Sequence, residues 1–299
     1  MILYHPLSTR HLELSSCICR HSGDLTVPYK YVDGSPLTLS IYFPPEHQTG
    51  KRYPLFVFVH GGGWTNRRIF PDQSHWAGDY LGFLARYYAE KGYICVSIDY
   101  RTLGSGKDAS PYELIDLYED CADAVTYLKT REAEFGLDFT HSIVLGESAG
   151  GHLAGALATF SYRDQPQFQK AILVNPITDL LDSRWMQFLP SESTHPVLQG
   201  KSKAEQALFL SPAHQIGSHT PETLLIHGTA DTVVRPMHAQ SFYDEMCRHN
   251  RKAQLHWIAD TNHAFLLAEY MQESQLSLDA AAIAMEIIDA FLRQSSLAP

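Results

Sequence analysis

Residues 143–151 of this 299-residue chain read Ile-Val-Leu-Gly-Glu-Ser-Ala-Gly-Gly. The apolar run Ile143–Leu145 predicts a buried strand, and the residues from Gly151 onward predict a helix. Ser148 stands between the two, with a glycine two residues to either side, and so tight a strand-to-helix turn requires small residues there. Such a turn holds the serine hydroxyl clear of the sheet, at a helix N-terminus whose partial positive charge favours an oxyanion. The segment Gly146–Gly150 therefore predicts a nucleophile elbow.

The rest of the chain alternates short apolar runs with helical patterns, which is typical of a parallel sheet with crossover helices. Continuous apolar runs predict central strands covered on both faces; these are Leu55–Val59, Ile94–Ile98, Ile143–Leu145, Ala171–Val174 and Thr223–Ile226. The alternating runs Leu25–Val32 and Leu37–Phe43 predict a hairpin at a sheet edge. With Gln254–Ile258 the predicted sheet has eight strands. Helical patterns lie between the strands, at Tyr80–Glu90, Tyr112–Phe135, Gly150–Thr159, Pro236–His249 and Leu278–Arg293.

One connection is much longer than the usual few residues between elements. Residues 176–220 separate two predicted central strands. We interpret 177–220 as a cap inserted over the carboxyl edge of the sheet, where open α/β folds bind ligands. The alternative is a surface excursion that packs only on itself. The expected organisation is an N-terminal extension over 1–24, followed by one domain over 25–299 that carries the cap.

The composition excludes several classes of function. A net charge of −10 argues against nucleic acid and against an anionic membrane surface as partners. No run of 18 apolar residues is present, so no membrane-spanning helix is expected. Met1–Ser16 lacks the apolar core and cleavage site of a signal peptide, although a leader that has already been removed stays possible. We expect a cytoplasmic protein, monomeric or homodimeric, that needs no cofactor.

The five cysteines are scattered and odd in number, which favours a reducing compartment. Cys17 and Cys19 have neither the two-residue spacing nor the second pair of a zinc or thioredoxin site. Free thiols and no metal are therefore predicted.

A glycine-rich stretch, His60-Gly61-Gly62-Gly63-Trp64, directly follows the strand Leu55–Val59. Glycines at this point let the backbone approach a substrate with its N–H groups unobstructed. We expect the N–H of Gly62 or Gly63 to form an oxyanion hole together with the N–H of Ala149. A plain glycine-rich turn is the alternative, and a phosphate loop is excluded because no Gly-Lys-Ser/Thr follows.

Two further polar residues follow strands near the C-terminus. Asp231 comes after Thr223–Ile226, and His263 comes after Gln254–Ile258. In that position His263 would take the hydroxyl proton of Ser148 during attack on a carbonyl, and Asp231 would orient the imidazole. A helix-capping role is the alternative for Asp231.

Two other acids compete for the role of Asp231. Asp179 lies just past the strand Ala171–Val174, and Asp260 lies three residues before His263. Asp260 is close enough in sequence that it could hardly orient the histidine. We therefore predict Asp231 as the acid.

Aromatic residues are expected around Ser148. They lie on segments that should surround the serine and would close a small apolar pocket; they are Trp64, Phe70, Trp76, Trp185 and Phe188. The alternative is that they only pack the cap. A pocket of this kind favours short acyl groups or an aromatic acid over long lipid chains.

Taken together, five motifs resemble the esterase/lipase group of the α/β-hydrolases, including hormone-sensitive-lipase-like carboxylesterases and bacterial feruloyl and acetyl esterases. The motifs are His60–Trp64, Tyr100-Arg101, Gly146–Leu153, His227–Asp231 and Asn262–Phe265. The chain order of serine, acid and histidine is also the one this fold uses. The resemblance implies a mostly parallel eight-stranded sheet with helices on both faces and a small cap insertion.

The resemblance also implies that Glu147, Tyr100 and Arg101 form a buried polar cluster behind the elbow, at the rim of the substrate pocket. The chain departs from the hormone-sensitive-lipase pattern in two ways. Tyr100-Arg101 continues as Thr102-Leu103-Gly104 instead of Leu-Ala-Pro-Glu, and the 24 residues before the first strand are too few for a large helical cap. Both departures favour small-cap feruloyl and acetyl esterases, and kynurenine formamidases.

The predicted function is hydrolysis of small carboxylic esters, with short-acyl or aromatic-acid groups, through an acyl-enzyme. An aryl formamidase of the kynurenine formamidase type is the alternative, because one triad and one oxyanion hole serve either acyl group. A non-catalytic binding protein on this fold is a third possibility. Such receptors typically lack a triad residue, whereas all three are present here.

Overall fold

The computed structural model describes residues 1–6, 23–65, 81–104, 110–266 and 275–294. The strands in these ranges are β1 (Ile2–His5), β2 (Leu25–Val32), β3 (Ser35–Tyr42), β4 (Tyr53–Val59), β5 (Ile94–Ile98), β6 (Leu137–Glu147), β7 (Lys170–Val174), β8 (Glu222–Gly228) and β9 (Ala253–Ile258). The helices are α1 (Gly82–Glu90), α2 (Leu114–Thr130), α3 (Glu132–Phe135), α4 (Ala149–Thr159), α5 (Ser183–Met186), α6 (Lys203–Leu210), α7 (Met237–Arg248) and α8 (Gln275–Arg293), with a short 3₁₀ turn at Pro212–His214.

The strands form one sheet in the order β1-β9-β8-β7-β6-β4-β5-β3-β2. Only β3 pairs antiparallel, with β2 on one side and β5 on the other. The remaining neighbours are parallel, and the residues of β5 and β7 are buried throughout, as expected for strands covered on both faces. This confirms the predicted α/β-hydrolase fold class.

The sheet has nine strands in the described residues, one more than predicted. The additional strand is β1, which pairs in parallel with β9 and places Leu3 opposite His256. It falls within the predicted N-terminal extension. A run of four residues carries too little pattern to be separated from a loop, and this strand depends on a partner about 250 residues away. Cys17 and Cys19 lie outside the described residues.

Apolar side chains cover both faces of the sheet. Helices α2, α4 and α7 pack on one face through residues that include Leu117, Leu153 and Phe242. Helices α1 and α8 pack on the other face through residues that include Leu84 and Ile283. In the described residues both faces are covered by apolar packing, and the loops after β4, β6, β8 and β9 lie together at the carboxyl ends of the parallel strands.

Residues 177–220, here called the cap segment, contain α5, α6 and the 3₁₀ turn. The Glu113 carboxylate, just before α2, accepts hydrogen bonds from the backbone N–H of Thr194 at 2.7 Å and from its hydroxyl at 2.9 Å. The hydroxyl of Ser193 donates to the same carboxylate. At the other end, His152 of α4 contacts the Leu210 carbonyl at 2.8 Å. The segment is thus fixed to two helices, and its role as a cap over the substrate stays a prediction.

Among the described helices, none has both the length and the apolar character that crossing a bilayer requires.

Candidate active site

The turn between β6 and α4 places Ser148 at the carboxyl edge of the sheet. Ser148 has φ 57° and ψ −122°, a strained conformation for a residue with a side chain. A methyl group on Gly146 would overlap the Gly150 carbonyl, and one on Gly150 would overlap the Val59 carbonyl. The Ser148 N–H donates to the Val174 carbonyl at 3.0 Å. Close backbone packing therefore explains both glycines of the elbow.

The structure brings Ser148, His263 and Asp231 into one hydrogen-bonded line. The Ser148 hydroxyl lies 2.8 Å from Nε2 of His263. Nδ1 of the same ring lies 2.6 Å from Oδ2 of Asp231. With Nδ1 protonated and donating to the carboxylate, Nε2 is free to accept the serine proton, as a general base must.

Four nitrogen atoms of the described residues lie within 3.2 Å of the Asp231 carboxylate oxygens, and three of them belong to hydrogen bonds. The backbone N–H groups of Val233 and Val234 each donate to Oδ1 at 2.9 Å. Oδ2 faces His263 and also Nε2 of His227, at 3.2 Å. Burial opposes ionisation, but the contacts with His227 and His263 hold the pKa of Asp231 well below its usual value. The carboxylate is therefore charged at any pH where the histidine could act as a base.

His263 experiences opposing effects. Burial lowers the pKa of its imidazole, but the hydrogen bond to Asp231 and the negative charges of Glu147 and Asp231 raise that pKa above its ordinary value overall. The side chain is 12% exposed, so a substrate or water can still reach Nε2.

The two competing acids lie elsewhere. Oδ1 of Asp179 accepts a hydrogen bond from the Leu181 N–H at 2.9 Å and lies 3.4 Å from Nε2 of His214. Asp260 is exposed in the turn after β9. Of the three acids considered, only Asp231 bonds to His263.

The glycine-rich loop after β4 lies beside the elbow, and an added methyl group on Gly61 would stand 3.4 Å from Cβ of Ser148. Gly62 and Gly63 have φ values of 107° and 60°, a region that favours glycine. Ala149 is the first residue of α4, where the N–H has no acceptor within the helix. The oxyanion-hole roles of these three N–H groups stay a prediction.

Trp64, directly after the loop, is fully buried among aromatic rings. Its ring lies 5.7 Å from that of Trp185 and 5.3 Å from that of Phe188, centroid to centroid. Trp185 Nε1 lies 3.2 Å from Nε2 of His238 on α7. Trp64 offers no surface to a substrate, whereas Trp185 is 9% exposed and Phe188 is half-buried. Pocket roles for the last two stay predictions; Phe70 and Trp76 lie outside the described residues.

Glu147 is also fully buried, so it has no exposed surface with which to line a substrate pocket. The expected cluster with Tyr100 and Arg101 has a different arrangement. Tyr100 donates to the His60 carbonyl at 2.6 Å, and Arg101 pairs with Asp120 at 2.7 Å. Among the described residues neither Glu147 oxygen has a hydrogen-bond partner. Burial raises the pKa of Glu147 from 4.5 to about 7.

This buried carboxyl makes stability depend on pH. The unfolded chain releases the proton near pH 4.5 and the folded protein near pH 7, so the wild type loses stability as pH rises between those values, by on the order of 3 kcal/mol. Glu147→Gln removes this loss. We expect the stability of the variant relative to the wild type to increase between pH 5 and 8, measured by urea unfolding. The exposed Glu192 provides a control, Glu192→Gln; a Glu147→Gln difference that does not vary with pH would contradict the prediction.

One group of potential metal ligands occurs in the described part of the chain. Asp116 and Glu119 of α2 and His195 of the cap segment have ligand atoms within 4.8 Å of one another. Arg101 lies 3.4 Å from Asp116, and Arg163 lies 3.8 Å from Glu119. Since cationic side chains already face both carboxylates, we interpret the group as a contact between α2 and the cap segment.

Residues 39–246 match the sequence model of the BD-FAE protein family. A probable carboxylic ester hydrolase of Mycobacterium tuberculosis, LipM, is 29% identical over 82% of this chain and 56% of its own length. The esterase LipQ from the same organism is 28% identical over 68% of this chain and 48% of its own length. The chain thus spans about half the length of these curated relatives.

Solved structures of Thermogutta terrifontis esterase 2 are similar over nearly the whole chain. The propionate-bound structure is 25% identical and covers 93% of this chain and 96% of its own, with a TM-score of 0.73. The structure of the same esterase phosphorylated by paraoxon is 25% identical and covers 88% and 94%, with a TM-score of 0.66.

Proposed function

The chain belongs to the BD-FAE family, within the esterase/lipase group of the α/β-hydrolases, and from this we propose that it is a serine hydrolase of small carboxylic esters. The observation that carries the proposal is the line of hydrogen bonds from Ser148 through His263 to Asp231. Each residue of that line extends from a separate loop at the carboxyl edge of the sheet, as ester hydrolysis by this fold requires.

The reaction follows from the geometry. His263 Nε2 takes the proton from the Ser148 hydroxyl as the oxygen attacks the ester carbonyl. Negative charge then develops on the carbonyl oxygen, where the N–H groups of Gly62 or Gly63 and Ala149 would stabilise it; losing one such donor raises the barrier by about 2.7–4 kcal/mol. The imidazolium protonates the departing alcohol, and water activated by the same histidine releases the acid from Ser148.

The aromatic cluster supports a small acyl group. Trp185 and Phe188 pack against Trp64, which directly follows the proposed oxyanion loop. Bulky rings at this point limit the space beside the serine and favour short-acyl or aromatic-acid esters. The propionate-bound esterase from Thermogutta is consistent with a short acyl group.

A cytoplasmic location and a monomeric or homodimeric state belong to the same proposal. Cys95, Cys121 and Cys247 are free thiols, which suits a reducing compartment.

The proposal is tested with a substrate panel of p-nitrophenyl acetate, butyrate and octanoate, methyl ferulate, an acetylated sugar and N-formylkynurenine. We expect kcat/KM to be highest for a short-acyl or feruloyl ester and to fall at least about tenfold for octanoate, because the longer chain must displace packed rings. A dominant rate on N-formylkynurenine would replace the ester proposal with an amidase. No turnover of any substrate would overturn both.

Covalent labelling provides an independent measurement. Paraoxon should inactivate the enzyme with one diethylphosphoryl group per chain, located on Ser148 by peptide mass mapping. The control is Ser148→Ala, which should take up no label, and an adduct on another serine would contradict the assignment of the nucleophile.

A further inference from the structure

His227, at the end of β8, contacts the proposed triad from behind. Its side chain is fully buried. Nε2 lies 3.0 Å from the Val234 carbonyl oxygen and 3.2 Å from Oδ2 of Asp231. A carbonyl oxygen can only accept a hydrogen bond, so Nε2 must carry the proton. That N–H donates to the carbonyl, and its nitrogen is also in close contact with the Asp231 carboxylate.

The other ring nitrogen fixes the tautomer of His227. Nδ1 is buried and has no hydrogen-bond partner among the described residues. The ring of Trp257 lies 6.1 Å from that of His227, centroid to centroid. A proton on Nδ1 would be buried without an acceptor, which costs free energy. His227 thus acts as a hydrogen-bond donor through Nε2, in the Nε2–H tautomer.

We propose that His227 is a positioning residue of the active site, which shares Oδ2 of Asp231 with His263 and thereby limits how strongly the acid raises the basicity of the catalytic imidazole. This inference rests on the proposed function. An N–H group beside Oδ2 of Asp231 reduces the negative charge on that oxygen. The same oxygen therefore attracts the Nδ1 proton of His263 less strongly. The His227 N–H also fixes the carboxylate plane together with the two backbone N–H groups on Oδ1.

The titratable groups around Asp231 and His263 determine whether the loss of His227 raises or lowers the pKa of His263. Two acidic groups of the described residues face His263: Asp231, in the loop after β8, and Glu147, at the end of β6. His227 faces Asp231, and it interacts electrostatically with His238 on α7. Replacing His227 by an apolar residue removes its contact with Asp231 and its interaction with His238, and of these two partners only Asp231 acts on His263. The carboxylate then attracts the His263 proton more strongly, so the pKa of His263 rises.

The experiment is a titration of His263 by ¹⁵N–¹H NMR of the imidazole groups, with the His263 signals assigned from the spectrum of His263→Gln. We expect His227→Leu to raise the pKa of His263 by about one pH unit. His227→Gln, whose amide N–H can reach the same carboxylate, should return that pKa to within about 0.3 unit of the wild-type value. A residue that only fills space would leave the pKa unchanged.

The wild-type spectrum provides a test that needs no variant and therefore does not depend on their folding. His227 should show the Nε2–H tautomer. An Nδ1–H tautomer of His227, or a His263 pKa that is unchanged or lowered in a folded His227→Leu, would each overturn the inference.

Hydrolysis of p-nitrophenyl acetate, measured on the same samples, separates the proposal of ester hydrolysis from the proposal that His227 positions Asp231. If the enzyme is an esterase, the acidic limb of kcat/KM should move to higher pH in His227→Leu by the same amount as the pKa of His263. If the wild type hydrolyses none of the panel substrates while the pKa shift is present, the esterase proposal fails and the role of His227 on Asp231 stands.

Discussion

Ser148→Ala is expected to lower kcat for p-nitrophenyl acetate by about 10⁴- to 10⁶-fold, because removing the nucleophile of a triad costs about as much as removing the whole triad. The remaining rate would come from the oxyanion donors and substrate binding alone. The side chain is 9% exposed and its removal leaves no large cavity, so the melting temperature should change by no more than about 2 °C. Steady-state kinetics and circular dichroism melts measure the two effects.

Ser183→Ala is the matched control for this variant. Ser183 is exposed at the start of α5, and we expect kcat to stay within about twofold of the wild type. If Ser148→Ala retained more than about 1% of wild-type kcat while Ser183→Ala behaved normally, another group would have to be the nucleophile.

Gly150→Ala is expected to have the largest effect on folding. The new methyl group would overlap the backbone carbonyls of Val59 and His60, which belong to β4 and the following loop and cannot turn aside as a side chain can. We expect a loss of about 3 kcal/mol or more in the free energy of unfolding. Activity should fall as well, since relief of the overlap moves the elbow away from the glycine-rich loop. Urea unfolding and the p-nitrophenyl acetate assay measure the two losses.

Gly155→Ala, in the same helix, is the control. It separates the steric overlap at position 150 from the general effect of placing alanine in α4. The nearest atoms to its methyl group belong to the Pro212 side chain, at 3.1 and 3.2 Å. The gain in helix propensity, about 1 kcal/mol, offsets this tight contact, so the variant should stay within about 1 kcal/mol of the wild type. Equal stability of the two variants would show that the elbow is not closely packed.

The central strands could be predicted from sequence because burial on both faces leaves continuous apolar runs. Ile94–Ile98 has the same bounds in the sequence pattern and in the structure. The strand predicted over Ile143–Leu145 extends in fact over Leu137–Glu147, because the polar residues at 140–142 interrupt the apolar run on one side and Gly146-Glu147 ends it on the other. The three proposed triad residues could be placed together for a related reason: carboxyl ends of parallel strands meet at one edge of the sheet.

Other features depend on contacts that a sequence pattern does not encode. The helices α5 and α6 are short, with 4 and 8 residues, and their positions depend on anchors such as Glu113. The burial of Trp64 follows from rings that belong to the cap segment. His227 was missed as a partner of Asp231; the available signal was its place at a strand end, four residues before the acid.

The pairing of β1 with β9 has a consequence for biosynthesis. Leu3 leaves the ribosome before its partner His256, which is made about 250 residues later. Such a distant pairing is slow to form because a long loop must close first. The proposed general base, His263, follows β9 in the chain. Because Ser148 is made 115 residues before His263, a nascent chain carries its proposed nucleophile before its proposed base, and we expect the serine to stay unreactive until His263 has been made.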